Sequence, residues 1–392
     1  LYLKYHVKVH DYFDLIILYI GSRIYYNLIN NNLEDTMKTI KKKKKDNLTK
    51  DDLIYLMEVE EPKELEAIFN KAYEVKKREI GQRVFYRGLI EFGNYCVKNC
   101  YYCGIRKDNI DVERYHMSKE EIMSSVRWIY ANGYGSVALQ SGERRDPQYI
   151  DFVEDIIREI KKIGDIGITI SLGEQTEETY QRWFDAGAHR YLLRIESSTD
   201  RIYKSIHPND ELHDFETRVN CLKLLKKIGY QVGTGVMIGL PDQTEEDLVN
   251  DILFYKENDI DMIGMGPYIP HNDTPMGQQE LNIPSKQKRV ELGLKMIALT
   301  RLYLKDVNIA ATTALQGLDP LGREKGLKAG ANILMPITTK DEHRAKYQLY
   351  NDKPCIDDNA DKCKGCLEGR INSIGEEIAY GAWGDSPHFS KK

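Results

Sequence analysis

Glu91-Phe92-Gly93-Asn94-Tyr95-Cys96-Val97-Lys98-Asn99-Cys100-Tyr101-Tyr102-Cys103-Gly104 is the stretch on which the reading of this chain turns. The run Arg83–Phe92 that leads into it predicts a β-strand, so the three thiols fall in the loop that leaves the strand. Their spacing is C-x3-C-x2-C. Three thiolates on one short loop can hold three irons of a 4Fe–4S cube, whereas such clusters normally take four. The fourth iron is then open to a substrate, as the open position of a catalytic zinc site is. A structural zinc is the competing reading, but it would be closed by a fourth ligand, and the nearest, His116, lies thirteen residues past Cys103.

Outward from the loop, short apolar runs alternate with amphipathic segments, the pattern of βα units on a parallel sheet. After Arg83–Phe92 the predicted strands are Ser136–Gln140, Ile166–Leu172, Arg190–Ile195, Gln231–Ile238, Asp261–Met265, Asn308–Thr312 and Asn332–Met335. Predicted helices between them include Ser118–Gly133, which opens Ser-Lys-Glu-Glu with the N-cap and N3 residues of a capping box. Pro147–Gly164 has a proline suited to the first turn and a glycine stop. Thr244–Asn258 carries acids at its positive end. Eight such units favour a complete (β/α)8 barrel of the TIM type, with chemistry at the C-terminal ends of the strands. The expected organisation is a basic extension over 1–50, a helical lead-in over 51–82, the barrel over 83–336, and a C-terminal tail over 337–392 that closes the barrel and carries cysteines.

The 392 residues carry a net charge of −5 and are 41% hydrophobic, so the chain can bury a core and has no global basic footprint for nucleic acid. The uncharged apolar run Leu15–Gly21 is far too short to span a membrane, and no signal peptide is visible. Cysteines cluster at 96–103 and 355–366, which reads as metal ligation in a reducing cytoplasm; Cys221, alone on a predicted helix, reads as a small buried apolar residue. Residues 1–50 hold ten basic and five acidic side chains, and the Lys41–Lys45 run reads as a solvated tail. The chain starts at Leu1 and first shows methionine at Met37, so residues 1–36 read equally as over-called upstream translation.

The loop, with Tyr102 before its last cysteine, resembles that of the radical S-adenosylmethionine (SAM) superfamily. The resemblance implies a 4Fe–4S cluster on Cys96, Cys100 and Cys103, whose open iron binds SAM and cleaves it reductively to a 5′-deoxyadenosyl radical. It also implies SAM contacts. Ser141-Gly142-Glu143 is similar to the Gly-Gly-Glu segment that meets the SAM amino group, with Ser in place of the first Gly. Glu196 stands where the family has a polar residue on the ribose, and Arg218 where it has an arginine on the SAM carboxylate. Gly233-Thr234-Gly235-Val236-Met237-Ile238-Gly239 lacks dinucleotide-fingerprint spacing, with Pro241 close behind, and is similar to the segment that packs the adenine.

Within the superfamily, Tyr191–Glu196, Gly235–Pro241, Asp261–His271, Ala311–Ala314 and Gly330–Pro336 resemble the HydE family of FeFe-hydrogenase maturases. That implies a role in building the hydrogenase diiron site, beside HydG- and HydF-type maturases. The implied substrate is a small molecule, a cysteine-ligated iron carbonyl/cyanide complex, and a flavodoxin or ferredoxin would donate electrons. No nucleic acid or membrane is implied. Thr169, Met262, Thr312, Thr313, Tyr347 and Tyr350 match cavity-lining positions, and small hydroxyls suit carboxylate, cyanide or carbonyl groups. Cys355, Cys363 and Cys366 match an accessory cluster, 2Fe–2S or 4Fe–4S, found in part of that family.

Three other readings compete. A methylornithine synthase-like lysine mutase would lack the Cys355/Cys363/Cys366 trio, and a biotin synthase needs cysteines on inner strands, where none falls. A non-catalytic iron–sulfur scaffold would leave Glu196 and Arg218 without purpose.

Overall fold

The computed structural model describes residues 33–39, 48–356 and 359–392. Two helices lead in, α1 (Lys50–Glu58) and α2 (Pro62–Glu79). A parallel sheet follows. Strand β1 (Arg83–Tyr86) runs almost directly into β2 (Gly88–Gly93); β3 is Ser136–Ser141, β4 Gly167–Ser171, β5 Arg190–Leu192, β6 Gln231–Thr234, β7 Met237–Ile238, β8 Met262–Ile263, β9 Gly266–Pro267, β10 Asn308–Ile309, β11 Ile333–Leu334 and β12 Glu377–Ile378. Seven of these pair side by side in the order β10-β8-β6-β5-β4-β3-β2, and β11-β1-β12 form a second parallel sheet. Parallel bridges Ala310↔Ile333 and Leu89↔Ile337 join the two. Each of the eight predicted strands has a counterpart, but Arg83–Phe92 divides into β1 and β2, Gln231–Ile238 divides into β6 and β7, and Asn308–Thr312 ends at Ile309, with Thr312 at the N-cap of the helix Thr313–Leu318.

Every residue of β2 is buried, as expected of a parallel strand covered on both faces. The period of two sorts them. Ile90 and Phe92 pack among the buried residues of the surrounding helices, while Leu89 and Glu91 face a cavity. Helix α3 (Lys119–Ala131) starts with the expected capping box between Ser118 and Glu121. Helix α4 (Pro147–Ile163) is capped by Asp146, which accepts from Tyr149 N at 3.1 Å; the Asp-Pro pair was a legible start signal. Helices α5 (Glu177–Ala186), α6 (Phe215–Ile228), α7 (Glu245–Glu257) and α8 (Lys286–Leu304) continue the alternation.

The tail reaches both ends of the sheet. Residues 337–353 lie at the strand C-terminal ends, where Tyr347, Tyr350 and Lys353 meet the cavity. Residues 377–386 lie at the opposite end: β12 pairs with β1, and Gly384 O accepts from Asn308 Nδ2 at 2.8 Å, while Arg190 donates to Trp383 O at 2.7 Å and to Asp385 at 2.9 Å. Burial alone would raise the Asp385 carboxyl, but the His189 hydrogen bond and the Arg190 charge hold it down at about 2. A carboxyl lowered in the folded state stabilises above its unfolded value near 4. That contribution is lost as pH falls from about 4 through about 2, so the Trp383 fluorescence should shift in that window, and Asp385→Asn should abolish the shift.

Residues 33–39, expected within the solvated extension, are helical, and the buried Thr36 donates to Glu64 Oε2 at 2.6 Å. Residues 1–32 and the Lys41–Lys45 run lie outside the described residues. Among the described residues, no helix is long and apolar enough to cross a membrane.

Candidate active site

The thiol loop has no regular structure, so side chains hold it in place. Asn94 Nδ2 donates to Glu113 O and Lys346 O at 2.8 and 2.7 Å. Arg114 spreads over five carbonyls of the loop, donating to Asn94 O (2.6 Å), Ile105 O (2.9 Å), Arg106 O (2.6 Å), Lys107 O (3.3 Å) and Asn109 O (3.0 Å). His213 Nε2 accepts from Asn99 N at 2.9 Å. Cys96, Cys100 and Cys103 all line a cavity of about 350 Å³ at the strand C-terminal ends. Burial pushes all three thiols up, Cys100 to about 12. Their sulfurs are not gathered within 4.8 Å of one another, the spread that ligands of one ion show. A tetrahedral zinc with Zn–S of about 2.3 Å would draw them closer than that. Three thiols set apart around an open cavity, Cys100 buried and Cys96 and Cys103 half-buried, fit a multi-iron cluster better than a single zinc.

The shelf beside them is built from two neighbouring strands. Glu143 N donates to Cys96 Sγ at 3.3 Å, and Val97 N to Glu143 O at 2.9 Å. Gly142 cannot be larger, since a Cβ there would lie 2.3 Å from Tyr95 O and 2.9 Å from Cys96 Cβ. Ser141 and Glu143 line the cavity with it, Glu143 Oε2 accepting from Glu174 N at 3.0 Å.

Glu196 and Arg218 also line the cavity. Glu196 adopts φ 65°, a left-handed conformation that costs a non-glycine residue about 1–3 kcal/mol. The site holds it there through Glu196 N to Gly235 O (3.0 Å) and Met237 N to Glu196 O (2.9 Å). Arg194 grips its carboxylate at 2.9–3.1 Å and donates to Gly264 O at 2.7 Å. Arg218 donates through Nε to Glu174 and through NH1 to Arg194 O at 2.7 Å. Burial would lower the Arg218 guanidinium, but the Glu174 charge raises it well above its usual value. Glu174 in turn would be raised by burial; Arg218 and Lys98 pull it down to about 2. Lys98 Nζ and Arg145 NH2 reach the same carboxylate at 2.7 and 3.1 Å. Sequence reading missed Glu174, Lys98 and Arg145. Glu174 does follow the third predicted strand closely, where barrel chemistry concentrates, and that was the available signal.

Deeper in the cavity, Thr312, Thr313, Tyr347 and Tyr350 line its wall, as does Tyr102 at its thiol end. Thr312 Oγ1 is buried without a partner. Thr169 and Met262 do not line it. Thr169 lies two residues before the lining Ser171, and Met262 two before Gly264, so both face inward one layer lower. There Met262 Sδ accepts from Arg87 at 3.1 Å and Thr169 Oγ1 is buried without a partner. A pair missed by sequence reading closes the wall: Lys353 Nζ donates to both Glu91 oxygens (2.6 and 2.8 Å) and to Tyr347 O (2.9 Å).

Cys355, Cys363 and Cys366 stand apart from the cavity lining. Cys363 is buried and Cys366 exposed on α11 (Ala360–Ser373), and the Cys355 thiol is within hydrogen-bond reach of Cys363. Cys221 is buried on α6, as expected. His116 is taken up in ring contacts with Phe92 and Phe152.

The sequence profile of the Radical SAM superfamily matches residues 90–255. The [FeFe] hydrogenase maturase subunit HydE of Thermotoga maritima is 45% identical over 313 residues, 80% of this chain and 86% of that protein. The chain belongs to the radical SAM superfamily. It is a radical SAM enzyme, and membership implies a 4Fe–4S cluster and SAM. The 3-methylornithine synthase of Methanosarcina acetivorans is 29% identical over 298 residues, 75% of this chain and 81% of that one. The crystal structure of methylornithine synthase (PylB) superposes with a TM-score of 0.73 at 25% identity, covering 88% of this chain and 97% of that chain. The fold is thus the TIM-barrel-like α/β fold of radical SAM enzymes.

Proposed function

We propose that this radical SAM enzyme is a HydE-type maturase that acts on a cysteine-ligated iron carbonyl/cyanide precursor of the hydrogenase diiron site. The observation that carries the reading is the single cavity running from the thiol loop to Thr312, Thr313, Tyr347 and Tyr350. The 45% identity to HydE supports it. HydG- and HydF-type maturases are the proposed partners, and a flavodoxin or ferredoxin the electron donor, in a reducing cytoplasm. The bridges Ala310↔Ile333 and Leu89↔Ile337 support an eight-stranded closed barrel over 83–336, preceded by the lead-in and followed by the tail.

In this reading Cys96, Cys100 and Cys103 hold the 4Fe–4S cluster. Bound there, it supplies the electron that splits SAM to methionine and a 5′-deoxyadenosyl radical. Ser141, Gly142 and Glu143 offer the SAM amino group backbone acceptors, while the Glu143 carboxylate is held by Arg145 and Glu174 N. Arg218, fixed at Nε and NH1, presents its remaining nitrogen to the SAM carboxylate, a geometry suited to a fork-shaped donor. Glu196, steered by Arg194, accepts from the ribose hydroxyls. Tyr102 packs at the thiol end and, with Tyr347, excludes water. Thr312 offers an unpartnered hydroxyl to the substrate, with Thr313 beside it, while Thr169 and Met262 form the floor. Cys355, Cys363 and Cys366 hold an accessory iron–sulfur cluster outside the reach of the radical, since reacting atoms must come within about 3–3.5 Å.

A hydrogenase maturation assay tests this division. The Cys355→Ala/Cys363→Ala/Cys366→Ala variant should keep most of the hydrogen evolution of the matured enzyme. Thr312→Val with Thr313→Val should lose much of it while still cleaving SAM. A dead tail variant with its first cluster intact would overturn the division, and formation of 3-methylornithine from lysine would move the chain to the mutase branch.

A further inference from the structure

Between the cavity and the second cysteine group lies a buried arginine to which the proposed reaction gives no task. Arg323, on α10 (Gly322–Lys328, the helix after α9, Thr313–Leu318), is 3% exposed. Its NH2 donates to Thr313 Oγ1 at 2.9 Å, which anchors one arm of the guanidinium to the cavity wall. Its Nε and NH1 are buried and have no hydrogen-bond partner among the described residues. A buried donor left unpaired is costly, and more so when charged. A fold that keeps two of them buried implies an acceptor beyond the described side chains.

The thiol-bearing helix packs beside it. Arg370, on the same helix as Cys363 and Cys366, donates from NH2 to Oε2 of Glu324, the residue next to Arg323, at 2.7 Å, and the Arg323 charge acts on both Cys363 and the cavity residue Tyr350. Gln316 stands 4.0 Å from Cys355 Sγ, and its own Oε1 is buried without a partner. Arg344 NH1 lies 3.5 Å from Cys355 O. Cys363 and Cys366 are three apart on a helix and share a face. The donor set is therefore three thiols beside buried cationic donors, which suits an anionic cluster with acceptor sulfurs. Hydrogen bonds to such sulfurs set how firmly and at what potential a cluster is held.

Resting on the assignment of Cys355, Cys363 and Cys366 as cluster ligands, we propose that Arg323 donates from Nε and NH1 to anionic acceptor atoms of the accessory iron–sulfur cluster, while Thr313 ties that contact to the cavity wall. Arg323 is then a positioning residue, and it links the occupancy of the tail site to the wall on which Thr313 and Tyr350 stand.

The test is iron release from the anaerobically reconstituted full chain to an iron chelator, followed together with the electron paramagnetic resonance spectrum. Accessory iron is the difference between the parent and the Cys355→Ala/Cys363→Ala/Cys366→Ala variant. Arg323→Gln should release it about 10–100-fold faster, the usual effect of losing an outer hydrogen-bond partner, with a shifted accessory spectrum and unchanged iron at the first site. Arg323→Lys, which keeps the charge but not the fork, should fall between, and carries the test if Arg323→Gln does not fold. Release at the parent's rate with an unchanged spectrum in the folded variant would overturn the proposal. If instead the tail variant holds as much iron as the parent, the accessory assignment itself fails and the proposal falls with it.

Discussion

A chain carrying Cys96→Ala, Cys100→Ala and Cys103→Ala is expected to form no 5′-deoxyadenosine from SAM under reducing conditions. It should also lose about four irons relative to the parent after anaerobic reconstitution. The effect is total because no other described cysteine lines the cavity to replace these three. Burial keeps the thiols protonated at neutral pH, so cluster assembly must release their protons and should become easier as pH rises. Full SAM cleavage in the triple variant, with four irons still at that site, would refute the assignment.

Removing Arg218 comes next in size. The guanidinium is buried, and it faces the cavity with two of its three nitrogens held by Glu174 and Arg194 O. Arg218→Ala removes the proposed partner of the SAM carboxylate and leaves Glu174 with Lys98 and Arg145 alone. Truncating one member of a buried charge pair costs about 2–5 kcal/mol. The SAM dissociation constant, read by equilibrium dialysis on the reconstituted protein, should rise at least tenfold, while Arg218→Lys should recover part of the affinity. An unchanged constant in a folded Arg218→Ala chain would take this residue out of the site.

What the sequence made legible was local. The thiol loop is one continuous stretch, and the eight strands each carry enough apolar residues to be found by pattern. Glu174 was not legible, because its meaning comes from three cations on separate segments, Lys98, Arg145 and Arg218, that only folding assembles. Thr169 and Met262 show a different limit. Alternation along a strand tells which way a residue faces and not how deep it sits, so both were placed in the cavity although they lie one layer below it. β12, two residues long, has no apolar run to announce it, and its place beside β1 depends on backbone hydrogen bonds from Glu377 N to Gln82 O and from Ala379 N to Val84 O rather than on composition.

The pairing of β1 with β11 and β12 has a consequence for the order in which the protein is made. A ribosome delivers the chain from its first residue, and domains assemble as their parts emerge. The thiol loop leaves the exit tunnel early, directly after β2, while both neighbours of β1 are synthesised last. Throughout elongation the three cysteines are therefore tethered to an uncompleted sheet and open to oxygen and stray metals. With these thiols as the proposed cluster ligands, cluster delivery is expected to follow translation, and the nascent chain is the stage most exposed to air.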